Sequence, residues 1–143
     1  MRTLDRIALM VLAVAFGVVG VWAQLAPRSF YDDFPGLGRH WVSGDGPFNE
    51  HLVRDVGGLN LALVVMAVAA LVTASTVMAR VAGIAALVYS LPHAVYHSAH
   101  LDVFDDTADK VGMAVSLWGA VVFAAIVAIG SVGGQVDRRV DSP

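Results

Sequence analysis

Residues 57–78 read GGLNLALVVMAVAALVTASTVM, and no charged side chain interrupts this run. A helix of about 20 apolar residues crosses the hydrocarbon core of a bilayer. Three further apolar stretches meet the same requirement, at residues 7–26, 81–100 and 111–132. The sequence therefore predicts an all-α, integral membrane four-helix bundle. It forms a single transmembrane domain over residues 1–143, with a long outer loop at residues 27–56.

The composition supports this class of protein and excludes others. Hydrophobic residues make up 57% of the chain and charged residues 15%, whereas soluble proteins average about 45–50% and about 25%. The net charge is −3 and no basic cluster exists beyond Arg138-Arg139, so no nucleic-acid partner is expected. The chain has no cysteine. Histidine, carboxylate and backbone oxygen are therefore the ligands that remain for any metal ion.

Basic residues in short connections set the orientation of a membrane protein. If both termini are cytoplasmic, the inner basic residues are Arg2, Arg6, Arg80, Arg138 and Arg139, against four on the outer side. The inner segments are also much shorter, which favours this orientation. The protein is then a multi-pass protein of the cell (inner or cytoplasmic) membrane, and all five histidines lie outside. A signal peptide is disfavoured because the first apolar run exceeds the roughly 7–15 residues of such peptides.

The third apolar segment carries a histidine cluster at its outer end. His93, His97 and His100 fall within an arc of about 60° on one helix face. Ionisable side chains at membrane depth are costly, and they face a cavity or a partner. His93 and His97 have the i, i+4 spacing that lets one helix supply two metal ligands. Because His93 and His100 are about 10.5 Å apart along the axis, one ion is expected to take only two ligands from this helix.

Other outer residues are candidates to complete such a metal site. The candidate ligands are Asp102, Glu50, His51 and His40, and Tyr96 and Ser98 are candidates for hydrogen bonds to the ligands. A site rich in nitrogen and oxygen suits zinc, copper, iron or nickel. Two alternatives stay open. The histidines bond to nearby carboxylates and to carbonyls freed by Pro92 without binding a metal, or they serve a proton-linked or organic ligand.

The approach to the second apolar segment is a further candidate site. Arg54 and Asp55 lie at its outer mouth, where they are expected to pair with each other or with Glu50. Asn49 is expected to cap the helix. Asn60 lies one turn into the bilayer, where its amide needs an interhelical partner or lines a cavity.

Aromatic and charged residues alternate in the first outer loop. Its aromatic residues are Phe30, Tyr31, Phe34 and Trp41. Such rings suit the membrane interface, so the loop is predicted to fold back onto the helices as a lid. In the second outer loop, Asp106 or Thr107 is expected to cap the fourth helix.

The layout of the chain also resembles a known group. Four helices, a long outer loop after the first, and the entry Arg54-Asp55-x-Gly57-Gly58-Leu59-x-Leu61 resemble the small bacterial four-helix membrane proteins of the DoxX-like group. The resemblance is architectural and covers most of the chain. It implies an association with redox or quinone-linked membrane complexes, and it implies no catalytic residue.

Two functional hypotheses follow. The first is a small binding or accessory protein without activity of its own, with an outward-facing pocket of histidines and carboxylates. It would contact the lipid bilayer and assemble with other membrane subunits or with copies of itself. The second is a metal-binding membrane protein or oxidoreductase that uses the third-segment histidines.

Overall fold

The computed structural model describes the backbone of residues 1–140 and the side chains of residues 1–130. Its helices are α1 (Thr3–Leu25), α2 (Pro27–Asp33), α3 (Glu50–Thr73), α4 (Thr76–Ala99) and α5 (Thr107–Val140). A small antiparallel hairpin of β1 (Pro35–Gly36) and β2 (Arg39–His40) follows α2. Single 3-10 turns lie at Ser43–Asp45 and Leu101–Val103. The side chains of Arg138 and Arg139, on which part of the predicted orientation rests, lie outside the described residues.

Four helices are long and apolar enough to cross a membrane. They are Thr3–Leu25, Glu50–Thr73, Thr76–Ala99 and Thr107–Gly130, which confirms that the chain has four such segments. The predicted break between the second and third segments, at residues 79–80, is wrong, because Ala74 turns the chain in a left-handed conformation and Ser75 caps α4. Arg80 therefore lies within α4. Each helix exposes valine on its outer face: Val14, Val65, Val88 and Val115 are all about two-thirds exposed. Large apolar surface of this kind marks a face that contacts a membrane or another protein. With four apolar helices of spanning length, it suits a multi-pass membrane protein.

The helices begin earlier than the sequence predicted. α3 starts at Glu50 rather than at residue 57, because the Asn49 side chain caps it and accepts a hydrogen bond from the Leu52 amide at 3.2 Å. α5 starts at Thr107 rather than at residue 111, and Asp106 accepts from the Ala108 amide at 2.9 Å. Hydropathy misses these first turns because they carry charged side chains. The predicted caps at Asn49 and Asp106 are confirmed.

The four long helices pack around one another in a ring. α1 contacts α3 and α5, and α4 contacts the same two helices. Small residues fill the inner half of the interior: Ala8, Ala67, Ala70, Ala79 and Ala82 are all buried. Van der Waals packing between small residues drives helix association in lipid, where water exclusion gives no advantage.

Paired charges join the first and last helices at the end opposite the long loop. Asp5 is 1% exposed and accepts a hydrogen bond from Arg2 Nη2 at 2.7 Å. The same nitrogen donates to the Ile126 carbonyl of α5 at 3.4 Å. The hydrogen bond to Asp5 raises the pKa of Arg2. The buried carboxylate is thus compensated, as a buried charge must be.

Gly83 marks the closest approach of α4 to α5. A Cβ atom at this position would lie 2.6 Å from the Ala128 nitrogen. We expect Gly83→Ala to push the helices apart and to lower the free energy of unfolding by about 1–3 kcal/mol. Thermal unfolding in detergent measures this change.

The matched control is Gly119→Ala on α5, where an added Cβ meets nothing within 4 Å. Alanine is the better helix former, so this variant should be at least as stable as the wild type. Equal stability of the two variants would contradict the packing assigned to Gly83.

Candidate functional site

Residues 27–49, here called the lid, fold back against the helices. Phe30 is 5% exposed and Trp41 is 9% exposed. Phe34 lies between them, with ring centroids 4.8 Å from Phe30 and 6.2 Å from Trp41. Trp22 of α1 meets the edge of Phe30 at 6.1 Å. This continuous aromatic layer fixes the lid on the outer ends of α1 and α3.

Asp109 holds the far side of the lid. Trp41 Nε1 donates to Asp109 Oδ1 at 2.6 Å, and Arg39 forms an ion pair with the same carboxylate. Asp106 adds a longer contact to Arg39 at 3.8 Å. The hydrogen bond to Asp109 is the main cause that raises the pKa of Arg39, so the guanidinium stays charged. The lid is therefore attached to the start of α5.

A cavity of about 600 Å³ lies between the lid and the outer halves of the long helices. This volume falls in the range of about 300–1,000 Å³ that is typical of small-molecule sites. Most of its wall is apolar, with Phe16, Val19, Phe30, Phe34, Trp41, Val53, Val56, Met113 and Leu117 among its residues. Its polar residues are concentrated where α4 faces α3, and the lid and α5 add a few more, namely Tyr31, Asp45, Asn49 and Ser116.

Asn60 and Tyr89 form the part of this polar side that lies farthest from the lid. Asn60 is 1% exposed. Its Nδ2 donates to the Val56 carbonyl at 2.8 Å and to Tyr89 Oη at 3.1 Å. The amide thus has a partner on the neighbouring helix, and the pair joins α3 to α4 at membrane depth.

Three rings form a row along α4, from the cavity floor towards the lid. Tyr89, His93 and His97 are spaced four residues apart, so one helical turn separates each from the next. The ring of His93 stacks on Tyr89 at 5.4 Å between centroids and meets His97 edge-on at 4.6 Å. His97 Nδ1 then lies 3.8 Å from Asp45 Oδ2 in the lid. The row connects the buried floor to a carboxylate at the outer surface.

His100 does not join the other two histidines. α4 ends at Ala99, and the His100 ring stacks on Tyr96 at 4.2 Å between centroids. Its Nδ1 contacts the Tyr96 carbonyl at 2.7 Å. Ser98, expected near a ligand, instead accepts a hydrogen bond from Trp118 Nε1 at 3.0 Å. These contacts lie on the exposed outer surface of the helix.

The remaining predicted site residues also lie apart from the cavity. His51 pairs with Asp55 at 3.3 Å, with both side chains mostly exposed. Glu50 pairs with Arg54 at 2.9 Å, and Arg54 also donates to the Gln24 carbonyl near the end of α1. His40 contacts the Asp32 carbonyl within the lid, and Asp102 is exposed in a 3-10 turn.

Among the described residues, no group of three histidine, aspartate or glutamate side chains is arranged to hold a metal ion. His93 and His97 are adjacent, but Asp102, Glu50 and His51 are not beside them. The predicted metal site stays a prediction.

Sequence reasoning missed several residues of the site. Tyr89 continues the four-residue spacing of His93 and His97, so this spacing could have identified it. Ser90 and Asp45 carry no such local signal. The contact between Trp41 and Asp109 joins residues 68 positions apart, and no local pattern encodes it.

No protein-family model, no curated protein and no solved structure matches this chain. The resemblance to the DoxX-like group therefore stays a prediction.

The lid contact at Asp109 is open to a direct test. We expect Asp109→Ala to release Trp41 and Arg39 together and to raise amide hydrogen exchange in residues 27–49 at least several-fold. Hydrogen-exchange mass spectrometry of the protein in detergent measures this rate.

The matched control is Asp105→Ala, an exposed aspartate in the connection between α4 and α5. This variant should exchange like the wild type. An unchanged lid in Asp109→Ala would show that the aromatic layer alone holds it.

Proposed function

We propose that this chain is a small multi-pass membrane protein that binds one mostly apolar small molecule in the cavity beneath the lid. The cavity itself carries the proposal: it is partly open, of ligand size and apolar on most of its wall, with polar groups concentrated where α4 faces α3. Sites for small molecules have this composition, because apolar area supplies affinity and a few polar groups fix the orientation.

The proposed arrangement is a four-helix bundle in the cell membrane with both termini cytoplasmic. The contact between Arg2 and the Ile126 carbonyl supports placing the start of the first helix and the later part of α5 on one side. Trp41 of the lid meets Asp109 at the start of α5, which supports placing the lid and that end of α5 on the other side. The excess of basic residues near the termini then favours a cytoplasmic position for the termini. The cavity then opens near the outer leaflet.

The route into the cavity runs from the lipid. Ala15 and Val18 of α1 belong to the cavity wall, and both are exposed on the helix surface. A molecule dissolved in the bilayer can therefore reach the wall without crossing water. This access suits a lipophilic ligand, which is concentrated in the membrane.

The polar side suits the binding of a ligand. Among the described residues it holds no nucleophile that is hydrogen-bonded to a base. His97 and Asp45 are 3.8 Å apart, and His93 contacts only aromatic rings among the described residues. We therefore propose an accessory role, in which the protein holds its ligand within a larger membrane complex or a homo-oligomer.

The metal-binding alternative has less support, since the described residues bring only two histidines together. Elemental analysis of the purified wild type beside His97→Ala tests it. Near-stoichiometric zinc, copper or iron, lost in the variant, would restore this alternative.

Filling the cavity should abolish binding. Ala120 of α5 lies in the wall, and we expect Ala120→Phe to occupy the space that the ligand needs. The probe is 1-bromododecane, whose bromine quenches nearby indole fluorescence. The protein carries Trp22→Phe and Trp118→Phe, so that Trp41 in the cavity wall is the sole tryptophan, and it is embedded in phosphatidylcholine nanodiscs.

Saturable quenching of Trp41 is the expected result, and it should disappear in Ala120→Phe. Ala62→Phe is the matched control, because Ala62 is exposed on α3 and should leave the saturable component intact. Quenching that rises linearly with probe in all three proteins would mean that the bromine acts only from the bilayer, and it would refute the proposal.

A further inference from the structure

We infer that the ligand of this cavity is an uncharged lipophilic alcohol, whose hydroxyl group binds against Tyr89, Ser90 and His93. The inference rests on the proposed function and names the chemical class of the ligand. Some hydrogen-bonding groups on the polar side already have partners within the described chain, and the groups without partners determine which ligand fits.

The phenolic O–H of Tyr89 is a hydrogen-bond donor without an acceptor among the described residues, because Asn60 donates to the phenolic oxygen. The Val56 carbonyl can only accept, so the amino group of Asn60 must point towards it. The same amino group is 3.1 Å from Tyr89 Oη, and the phenolic oxygen therefore accepts. Tyr89 has no acceptor for its own proton among the described residues. A donor is thus held in place at the floor of the cavity.

Ser90 supplies the second free group. The residue belongs to the cavity wall and is 3% exposed. Its Oγ is itself buried, and it is the one buried side-chain polar atom without a partner in the described part of the chain. A serine inside a helix can satisfy its hydroxyl with a carbonyl one turn earlier, and Ser90 does not. A buried polar atom without a partner is destabilising, and a ligand hydroxyl removes this penalty when the Ser90 side chain rotates towards it.

His93 adds an acceptor one turn above Tyr89. An uncharged imidazole has one donor nitrogen and one acceptor nitrogen. The described contacts of His93 are ring contacts with Tyr89 and His97, which leave both nitrogens available. The floor therefore offers a donor, an acceptor and the Ser90 hydroxyl, which can act as either.

These groups suit a hydroxyl better than a carbonyl or a charged group. A hydroxyl accepts from Tyr89 and donates to the acceptor nitrogen of His93, whereas a carbonyl would leave that nitrogen without a partner. No lysine or arginine of the described chain lines the wall, and Asp45, in the lid, is the only carboxylate among its described residues. A charged head group on the floor would thus lack a permanent counter-ion, and an unpaired charge in such surroundings is strongly unfavourable.

The test compares four probes that differ only at one end. They are 12-bromododecan-1-ol, its methyl ether, 1-bromododecane and 12-bromododecanoic acid, applied to the Trp41-only protein in phosphatidylcholine nanodiscs. Loss of one neutral hydrogen bond weakens binding about two- to tenfold. We expect the alcohol to bind more tightly than the ether by at least this factor, and the ether to bind at least as tightly as the alkane.

Ser90→Ala is the decisive variant, because it removes a polar atom that has no partner in the described chain and should not lower the thermal stability. The alcohol should bind about two- to tenfold more weakly to it, while the affinity for the alkane stays unchanged. Ser116→Ala is the matched control: Ser116 is also in the wall, but its hydroxyl already donates to the Met113 carbonyl at 2.9 Å.

The outcomes separate the two proposals. Equal binding of the alcohol, the ether and the alkane, with saturation, would overturn the alcohol and leave the apolar cavity standing. Tightest binding by the acid would overturn the uncharged ligand. No saturable binding by any probe would refute the proposed function as well. An alcohol preference that Ser90→Ala leaves intact would overturn the assignment of Ser90 to the hydroxyl site.

Discussion

Hydrocarbon offers no hydrogen-bond partner, and this constraint governs both the helices and the cavity. The backbone satisfies its polar groups by forming helices, in which N–H and C=O groups bond to each other. The buried Asp5 carboxylate accepts a hydrogen bond from Arg2, and the buried Asn60 amide donates to the Val56 carbonyl and to Tyr89. Ser90 is the exception among the buried side chains described, and it lies in the wall of the cavity. The constraint thus explains how the helices pair, and it also points to the place where the proposed ligand would bind.

The lid covers one side of the cavity, which is otherwise formed by the long helices. Its aromatic layer supplies part of the wall, and Trp41 both lines the cavity and donates to Asp109 at the start of α5. The proposed binding beneath the lid would therefore be linked to the attachment of the lid through one side chain. A ligand that packs against Trp41 would stabilise the closed lid, since any molecule that binds one state preferentially shifts the equilibrium towards it. The row from Tyr89 to Asp45 gives the floor a route of polar groups to the outer surface.

The sequence predicts the four crossing segments well, because 20 apolar residues in a row have few other uses. It also predicts the caps at Asn49 and Asp106, since capping is a local property of the side chain. The internal structure of the lid is not predictable in this way, because it depends on Trp41 meeting an aspartate 68 residues away. His100 illustrates the same limit: helical spacing places it beside His93 and His97, but the helix ends at Ala99 and the ring turns towards Tyr96. Spacing along a helix therefore identifies candidate site residues, and long-range packing determines which of their side chains contact each other.

The central claim is that the cavity holds one small apolar molecule. Native mass spectrometry tests it most directly, on the wild type and on Ala120→Phe released from the membranes that contain them. The account predicts one neutral molecule of low mass per chain in the wild type, and the bare chain in the variant. Identical spectra for the two proteins, whether bare or carrying the same lipids in the same amounts, would contradict it.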